Sequence, residues 1–300
     1  MKKVNIKNKF IYKYIRSFFY KFKNLFISSK AKYFRNYISK KAKSLDTVDS
    51  QIKNGYLYTA FGDSFYQECI NSVKILKNYT EYPIFLFTDK KDIPDHERNL
   101  FYGIRVVPGL HLRSKVDYIY MSPFENSIYL DTDIILARGI DDLFELLEIY
   151  PLFASLDTAR KREIMSKKIK EYRQIPYAFG EVNTGLIGFN DFSKKNILAK
   201  WPDIFHKYIN QSGGWDQPSF RILLWKEKVN IYILPPEYNI RSKKLLERLK
   251  NSRDLLGEEH MAPRVYHMHV NEEIYRNKKL EVDEEKIIDY AEKNAYDINY

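Results

Sequence analysis

The side chains in this sequence with the clearest potential for chemistry are an acidic pair, Asp131 and Asp133, separated by Thr132. In an extended segment, residues i and i+2 point to the same side, so both carboxylates can reach one cation while Thr132 turns away. Hard divalent ions such as Mg²⁺ and Mn²⁺ prefer oxygen ligands and usually share them with substrate phosphates. An ion held there would stabilise a leaving group that carries phosphate charge. A lone D-x-D pattern is common at strand ends and turns, so its context decides its meaning.

Short apolar segments alternate with helical segments around this pair. Apolar runs predict four strands, over residues 55–61, 83–88, 103–107 and 127–130. Helical spacing predicts two helices, over residues 64–78 and 115–122. This alternation is typical of an α/β fold with a mostly parallel sheet that is covered on both faces. In such sheets, ligands bind beyond the carboxyl ends of the strands, where Asp89, Asp131 and Asp133 all fall.

Five segments in order carry a more specific pattern. A basic residue, a helix, Ser-Pro-Phe and an apolar strand lead into the acidic pair over residues 115–134. The later segments are Asn-Thr-Gly-Leu-Ile-Gly-Phe-Asn at 183–190, Gly-Trp-Asp-Gln-Pro at 214–218, Leu-Pro-Pro-Glu-Tyr-Asn at 234–239 and Arg-Val-Tyr-His-Met-His at 264–269. Together they resemble the nucleotide-sugar glycosyltransferases of the GT-A fold, and among these the glycosyltransferase family 8-like group. The resemblance spans residues 55–270 and implies a GT-A-like (Rossmann-like), mostly parallel sheet flanked by helices.

The resemblance implies a metal site. Asp131, Asp133 and His267 would hold Mn²⁺ or Mg²⁺, with a neutral imidazole as the nitrogen ligand. A second histidine, His269, follows on the same side of the same predicted strand, and the sequence leaves open which of the two binds. For an isolated histidine, the alternative is a strand residue whose ring is satisfied by hydrogen bonds. The resemblance also assigns donor contacts to Asp131 and Thr132.

The resemblance further implies the residues that handle the sugar. Asp216 would bind hydroxyls of the donor sugar, and Gln217 would lie near the reacting anomeric face, where an amide stabilises positive charge better than it acts as a nucleophile. The alternative for Asp216 is a helix cap. Donor contacts are also implied for Asn183, Thr184 and Gly185. An Asn-x-Gly stretch is first a turn signal, but inside an apolar strand its glycine often marks close approach of the backbone to a ligand.

Cations and a turn complete the implied donor site. Lys115, with Arg113 nearby, precedes the acidic strand, and a diphosphate partner would explain cations at the positive end of a helix. The alternative is a solvated helix start. The turn after the first strand resembles the nucleoside-contacting turn of the family, through Ala60, Phe61 and Asp63. Asp63 can instead cap the helix that follows.

Charge is distributed unevenly along the 300 residues. The formal net charge is +11, yet residues 1–45 hold 14 Lys/Arg and no Asp/Glu, so the other 255 residues carry 36 minus 39, or −3. Large apolar residues in this arm follow helical spacing among the basic ones: Ile11, Ile15, Phe18, Phe22 and Leu25. The pattern is typical of a basic amphipathic helix on an anionic membrane surface. Docking of the arm on the domain behind it is the alternative, and nucleic acid is not an expected partner.

Composition and charge together predict the domain organisation. We expect a basic, aromatic arm over residues 1–50 and a GT-A-like domain over 51–300 with a C-terminal helical tail. The single cysteine, Cys69, excludes a disulfide framework, and the sequence holds no apolar run of the roughly 18 residues that a transmembrane helix needs. The expected location is the cytoplasm, peripheral on the inner face of the membrane.

The function that the resemblance implies is metal-dependent glycosyl transfer. A sugar would pass from a nucleotide-sugar donor, expected to be UDP-linked, to a hydroxyl of a glycan or lipid-linked acceptor, with retention of the anomeric configuration. The alternative from another class is a non-catalytic, membrane-associated nucleotide-binding or scaffold protein on the same fold. That protein would bind nucleotide without metal dependence or turnover. The D-x-D, Asp-Gln and histidine motifs together favour the enzyme.

Overall fold

The computed structural model describes residues 52–157, 166–241, 245, 247–249, 251 and 262–267. The predicted arm over residues 1–50, the tail after 271 and the alternative ligand His269 lie outside this part of the chain. None of the helices within it is long and apolar enough to cross a membrane.

Seven strands form the central sheet. In chain order, with β5 belonging to a separate pair, they are β1 (Asn54–Ala60), β2 (Ile84–Thr88), β3 (Gly103–Val106), β4 (Asn126–Leu130), β6 (Leu152–Leu156), β7 (Val182–Phe189) and β8 (Ile231–Leu234). Their order across the sheet is β3-β2-β1-β4-β7-β6-β8. Only β7 runs antiparallel to its neighbours, so the mostly parallel sheet expected from the sequence is confirmed. The four predicted strands match β1 to β4 to within two residues at each end.

A small antiparallel pair completes the strands. It joins β5 (Ile134–Leu136), directly after the acidic pair, to β9 (Val265–His267), near the end of the described chain. In this register Ile134 lies opposite His267. Residues more than a hundred positions apart in sequence therefore meet beside the carboxyl end of β4.

The helices are mostly short. They are α1 (Asp63–Leu76), α2 (Asp95–Arg98), α3 (Lys115–Tyr118), α4 (Leu143–Leu146), α5 (Lys170–Arg173), α6 (Asp191–Asn196), α7 (Trp201–Tyr208) and α8 (Gln217–Lys226). The prediction over 64–78 matches α1, whereas the helix predicted over 115–122 is wrong in length. It ends at Tyr118 and continues as a 3₁₀ turn over Ile119–Met121. Pro123 explains the stop, because the residue before a proline is driven out of the helical region, and Ser122 has ψ 136°.

Helices cover both faces of the sheet. Along β1, Tyr58 belongs to a buried cluster with α1 residues, while its neighbour Leu57 belongs to a second cluster that contains Trp201 of α7 and Leu223 of α8. Successive strand residues point to opposite faces, so these are two cores on either side of one sheet. Burial on both faces accounts for the continuous apolar runs that predicted β1, β2 and β4.

Candidate active site

The acidic pair lies in a tight turn that connects β4 to β5. The Asp131 carbonyl accepts a hydrogen bond from Ile134 N at 3.2 Å, and Asp131 N donates to the Gly185 carbonyl at 2.7 Å. The extended segment assumed from the sequence is therefore wrong, although the turn still brings both carboxylates to one place. The Thr132 side chain turns away from them, and its hydroxyl donates to Glu68 Oε2 at 3.0 Å.

His267 reaches the acidic pair through the β5–β9 pairing. One ligand atom each from Asp131, Asp133 and His267 lies within 4.8 Å of the others, and we call these three residues the metal-site cluster. His267 Nε2 is 3.4 Å from Asp133 Oδ1. The other ring nitrogen, Nδ1, is 3.1 Å from Asn239 Oδ1, whose amide nitrogen is 3.5 Å from the Leu156 carbonyl.

The hydrogen bonds of Asn239 determine which ring nitrogen of His267 carries the proton. Its amide nitrogen donates to Leu156, so its oxygen faces the ring and can only accept, which assigns the proton to Nδ1. Nε2 then presents a lone pair to carboxylate oxygens. Because lone pairs and carboxylates repel one another, a cation between Nε2 and these oxygens would stabilise the arrangement. Metal-binding histidines usually donate their other ring N–H to an oxygen in this way. Two carboxylates and one imidazole fit Mn²⁺ well.

Gly185 allows His267 to occupy this position. A Cβ atom on residue 185 would lie 2.1 Å from His267 Cε1, which leaves no room for any other residue type. The glycine in the Asn-x-Gly stretch was expected to mark close approach to a ligand, and the close approach seen is to the histidine ring. The Asn183 side chain stabilises the same strand segment, because its Oδ1 accepts from Gly185 N at 2.8 Å.

Lys115 is buried behind the acidic turn. Its ammonium group lies 2.9 and 3.0 Å from the two carboxylate oxygens of Asp131, 2.8 Å from the Thr184 carbonyl and 3.2 Å from Asp216 Oδ2. An ammonium has three N–H donors, and these protein acceptors are enough to use all three. The sequence suggested a diphosphate partner for Lys115. The contacts instead make it a residue that positions Asp131 and Asp216.

Tyr129 also holds Asp131, and sequence analysis did not single it out. Its hydroxyl donates to Asp131 Oδ1 at 2.6 Å. Burial, and then the charge of Asp131, raise the pKa of Tyr129 well above its ordinary value, so the phenol stays a donor. Tyr129 precedes Asp131 by two residues and therefore points to the same side of the strand, which is the signal that could have identified it.

Asp216 lies at the start of α8 but does not cap it, because its side chain makes no capping hydrogen bond. It accepts from Thr184 Oγ1 at 2.7 Å, contacts Lys115, and lies 3.6 Å from Arg113 Nε. Burial alone would raise the pKa of Asp216, but the charges of Lys115 and Arg113 and the Thr184 hydrogen bond hold it far below its ordinary value. Asp216 is thus a buried, permanently ionised carboxylate beside the metal-site cluster.

The next residue, Gln217, has a fixed side-chain amide. Its Nε2 donates to Asp157 Oδ2 at 2.7 Å and to the Val182 carbonyl at 3.2 Å. Both N–H groups are bound to acceptors, so the amide oxygen faces the opposite way. Asp157, at the end of β6, also lies 3.6 Å from Arg241. No sequence motif indicated Asp157, since its partners lie 60 and 84 positions away.

The three residues expected to contact a nucleoside lie at the neighbouring strand end. Ala60 is the buried last residue of β1, and the Phe61 ring packs 5.5 Å from the Tyr118 ring. The Asp63 side chain is 95% exposed and lies 3.2 Å from Lys90 Nζ. It does not cap α1, whose N-cap position is Gly62. Within the described residues, the contacts of these three side chains do not extend to the metal-site cluster.

Most of the predicted site does converge. Hydrogen bonds, ion pairs and one close backbone approach join seven predicted residues at the carboxyl end of β4: Lys115, Asp131, Asp133, Thr184, Gly185, Asp216 and His267. Asn183 and Gln217 border this group. Tyr129, Asp157 and Asn239 are the additions that the three-dimensional structure supplies.

Comparison with protein families and with curated proteins gives no match. Among solved structures, the chain is similar to the galactosyltransferase LgtC in complex with donor and acceptor sugar analogues, at 13% identity and a TM-score of 0.49, over 80% of this chain and 95% of that one. The chain is also similar to the glycosyltransferase GlyE of Streptococcus pneumoniae TIGR4, at 16% identity and a TM-score of 0.48, over 79% of this chain and 63% of that one. Similarity to the bifunctional glycosyltransferase WbbM is at 13% identity and a TM-score of 0.45, over 72% of this chain and 46% of that one. Because these TM-scores are below 0.5, the assignment of function rests on the site itself.

Proposed function

We propose that this protein is a metal-dependent glycosyltransferase that uses a nucleotide-sugar donor, with UDP as the expected nucleotide. The observation that carries the proposal is the convergence of Asp131, Asp133 and His267 within 4.8 Å, with Asp216 joined to the same group through Lys115. An oxygen-rich cation site beside a buried, ionised carboxylate suits a ligand with a diphosphate at one end and sugar hydroxyls at the other. Its position beyond the carboxyl ends of the strands is where α/β sheets bind ligands.

Asp131, Asp133 and His267 would hold the ion, Mn²⁺ or Mg²⁺. Bound there, it would neutralise the charge that develops on a departing nucleoside diphosphate. The chain prepares two of the three ligands, Asp131 and His267, for this role. Lys115 and Tyr129 restrain the Asp131 carboxylate, and the Asn239 oxygen keeps the His267 proton on Nδ1. Donors from Lys115 and Tyr129 occupy three of about four acceptor positions on the Asp131 carboxylate, which leaves one on Oδ2 for a ligand.

The donor sugar would lie between Asp216 and Gln217. Asp216 Oδ1 has Arg113 Nε at 3.6 Å, longer than a hydrogen bond, and so keeps capacity to accept from a sugar hydroxyl. The Gln217 oxygen would stabilise positive charge at the anomeric carbon, since its amide nitrogen is bound on the other side. Asn183, Thr184 and Gly185 line the strand on which the sugar would rest.

The proposed transfer forms one carbon–oxygen bond and breaks another, and it moves one proton between oxygens. The acceptor hydroxyl oxygen attacks the anomeric carbon as the bond from that carbon to the diphosphate oxygen breaks. The acceptor proton passes to the departing phosphate oxygen, so that no separate base is required, and attack on the same face retains the configuration. Orientation of the two substrates and electrostatic stabilisation would supply most of the rate.

Release of nucleoside diphosphate tests this function. Purified protein is incubated with a panel of UDP- and GDP-sugars, with Mn²⁺ or with a chelator. We expect Mn²⁺-dependent release from at least one donor, abolished by Asp133→Asn. Asp191→Asn is the matched control, because Asp191 follows β7, which runs antiparallel, and so lies at the opposite edge of the sheet. Nucleotide binding with no release from any donor would favour the non-catalytic alternative.

For residues 1–45 we propose association with an anionic membrane, which would bring a glycan or lipid-linked acceptor close to the site. The support is the sequence alone: 14 Lys/Arg, no Asp/Glu and an apolar stripe at helical spacing. The corresponding location is the cytoplasmic face of a membrane. Co-sedimentation of the full chain with anionic vesicles should exceed that of a chain beginning at Asp46, and equal binding would refute the proposal.

A further inference from the structure

A second group of histidine and carboxylate side chains lies behind the cations of the site. His111 Nε2 is 2.8 Å from Asp117 Oδ2, and His206 Nε2 is 2.7 Å from Asp117 Oδ1. We call these three residues the His–Asp–His triad. The Asp117 side chain is 5% exposed. The proposed transfer reaction uses none of the three residues.

The triad stabilises the turn that contains Arg113 and Lys115. His111 Nδ1 accepts a hydrogen bond from Arg113 N at 3.1 Å. Ser114 Oγ accepts from His111 N at 2.9 Å and donates to the His111 carbonyl at 2.6 Å, which closes the turn. Asp117 belongs to α3 and His206 to α7, so the triad joins the turn to a helix of the second core.

The same turn supplies the two cations that contact Asp216. Lys115 Nζ lies 3.2 Å and Arg113 Nε 3.6 Å from its carboxylate oxygens, and the Arg113 guanidinium packs over the Trp215 ring at 4.7 Å. A shift of the Arg113 backbone would move both contacts of its side chain. The geometry of the triad therefore affects the charge environment of Asp216.

A metal ion at the triad would conflict with the hydrogen bond that His111 Nδ1 accepts from Arg113 N. Because His111 Nδ1 accepts a backbone N–H, the neutral ring carries its proton on Nε2, the atom that faces Asp117. A ligating nitrogen must present a lone pair, and the other ring nitrogen of a metal-bound histidine normally donates. The His111 nitrogen that faces Asp117 therefore presents a proton and not the lone pair that a metal ion needs.

We propose that His111 is a positioning residue for the donor site. Its Nδ1 holds Arg113 against Asp216, while Asp117 and His206 hold the His111 ring in place. This inference rests on the proposed function. Loss of the Nδ1 acceptor should weaken donor binding and leave the chemical step almost unchanged, because His111 touches neither the metal-site cluster nor Gln217 in the described structure.

Two amide substitutions separate the two sides of the ring. In His111→Asn, the side-chain oxygen can replace Nδ1 as the acceptor for Arg113 N–H, while the reach to Asp117 is lost. In His111→Gln, the amide nitrogen can replace Nε2 as the donor to Asp117, while the acceptor for Arg113 is lost. Both variants keep a neutral side chain in the same place.

The experiment measures hydrogen exchange of the peptide that contains residues 110–118, together with donor KM and kcat, in the full chain. We expect His111→Gln to accelerate exchange and raise donor KM by about three- to tenfold, the value of one hydrogen bond, with kcat within about twofold. His111→Asn should stay within about twofold of wild type in both measurements, because it restores the acceptor.

Equal effects of the two variants, or faster exchange in His111→Gln with unchanged KM, would overturn the positioning role. One equivalent of zinc in the purified chain that is lost in His206→Ala would also overturn it, since the triad would then be a metal centre. Failure of the proposed function gives a different result, because the wild-type chain itself would then turn over no donor.

Discussion

The metal-site cluster and the His–Asp–His triad use the same kinds of side chain for different purposes. In the first, two carboxylates face one histidine, whose Nδ1 lies 3.1 Å from the Asn239 oxygen. In the second, two histidines face one carboxylate, and His111 Nδ1 accepts from a backbone N–H at 3.1 Å. The partner of the second ring nitrogen therefore decides whether Nε2 offers a lone pair or a proton. Composition alone would have described both groups as candidate metal sites.

Burial and charge distinguish the two groups as well. Burial alone would raise the pKa of Asp117, but the adjacent His111 and His206 side chains lower it below the ordinary value. The metal-site cluster has an excess of carboxylates, and among the described contacts Lys115 pairs with Asp131 of this cluster. The triad places one carboxylate between two imidazoles, whereas the metal-site cluster places two carboxylates against one imidazole and gains from a cation.

The largest expected effect tests the excess of carboxylates in the metal-site cluster. Asp133→Asn removes one ligand charge, and we expect Mn²⁺-dependent turnover to fall by about 10³-fold, which corresponds to about 4 kcal/mol of lost transition-state stabilisation. Steady-state release of nucleoside diphosphate measures it, with circular dichroism to verify folding. Turnover within a factor of three of wild type would contradict the assignment of Asp133.

The corresponding change in the triad should affect stability instead. Asp117→Asn removes the buried charge that two histidines contact, and we expect the free energy of unfolding to fall by about 2–3 kcal/mol while Mn²⁺ affinity stays unchanged. Urea denaturation and Mn²⁺ titration measure the two quantities. Asp191→Asn, in an ion pair with Lys195 near the surface, is the control and should change stability by less than about 1 kcal/mol. Loss of Mn²⁺ affinity in Asp117→Asn would remove the distinction between the two groups.

Gly185→Ala tests whether the position of His267 matters for the metal. The new Cβ would lie 2.1 Å from His267 Cε1, so the ring must move, and we expect Mn²⁺ affinity to fall by about thirtyfold. Calorimetric titration measures the affinity. Gly139→Ala is the matched control, since its nearest contacts would be an ordinary 3.7 and 3.8 Å. Equal affinities of the two variants would show that the His267 ring is not a ligand.

Asn239→Ala should give the smallest effect. It removes the oxygen that receives the Nδ1 proton of His267 but leaves the ring in place, and loss of such a supporting contact costs about tenfold in metal affinity at the low end of the usual range. The same titration measures it. Unchanged affinity would mean that the proton position on His267 is set by some other contact.

Much of the fold follows directly from the sequence. β1, β2 and β4 are buried on both faces, so their apolar runs are continuous and their bounds could be predicted to within one residue. The helix over 115–122 was less predictable because Pro123 limits it through local sterics that helical spacing does not reveal.

Site residues that belong to local motifs were predictable, whereas site residues defined by tertiary contacts were not. Asp131, Asp133 and Asp216 belong to short motifs at element ends. Asp157 acts on Gln217 across 60 positions. Asn239 ends the motif at residues 234–239, but its contact with His267, 28 positions away, is one that no local pattern encodes. The turn at the acidic pair and the burial of Lys115 likewise depend on Gly185 and Thr184, contributed by β7.

The most direct test of the account is equilibrium binding of Mn²⁺ in the presence of UDP to three proteins: wild type, His267→Gln and His206→Gln. Each variant replaces one histidine that faces a carboxylate by the same amide. We predict one Mn²⁺ per chain for wild type and His206→Gln, and loss of that binding in His267→Gln. Binding that survives in His267→Gln, or that disappears in His206→Gln, would contradict the central claim that the metal lies among Asp131, Asp133 and His267.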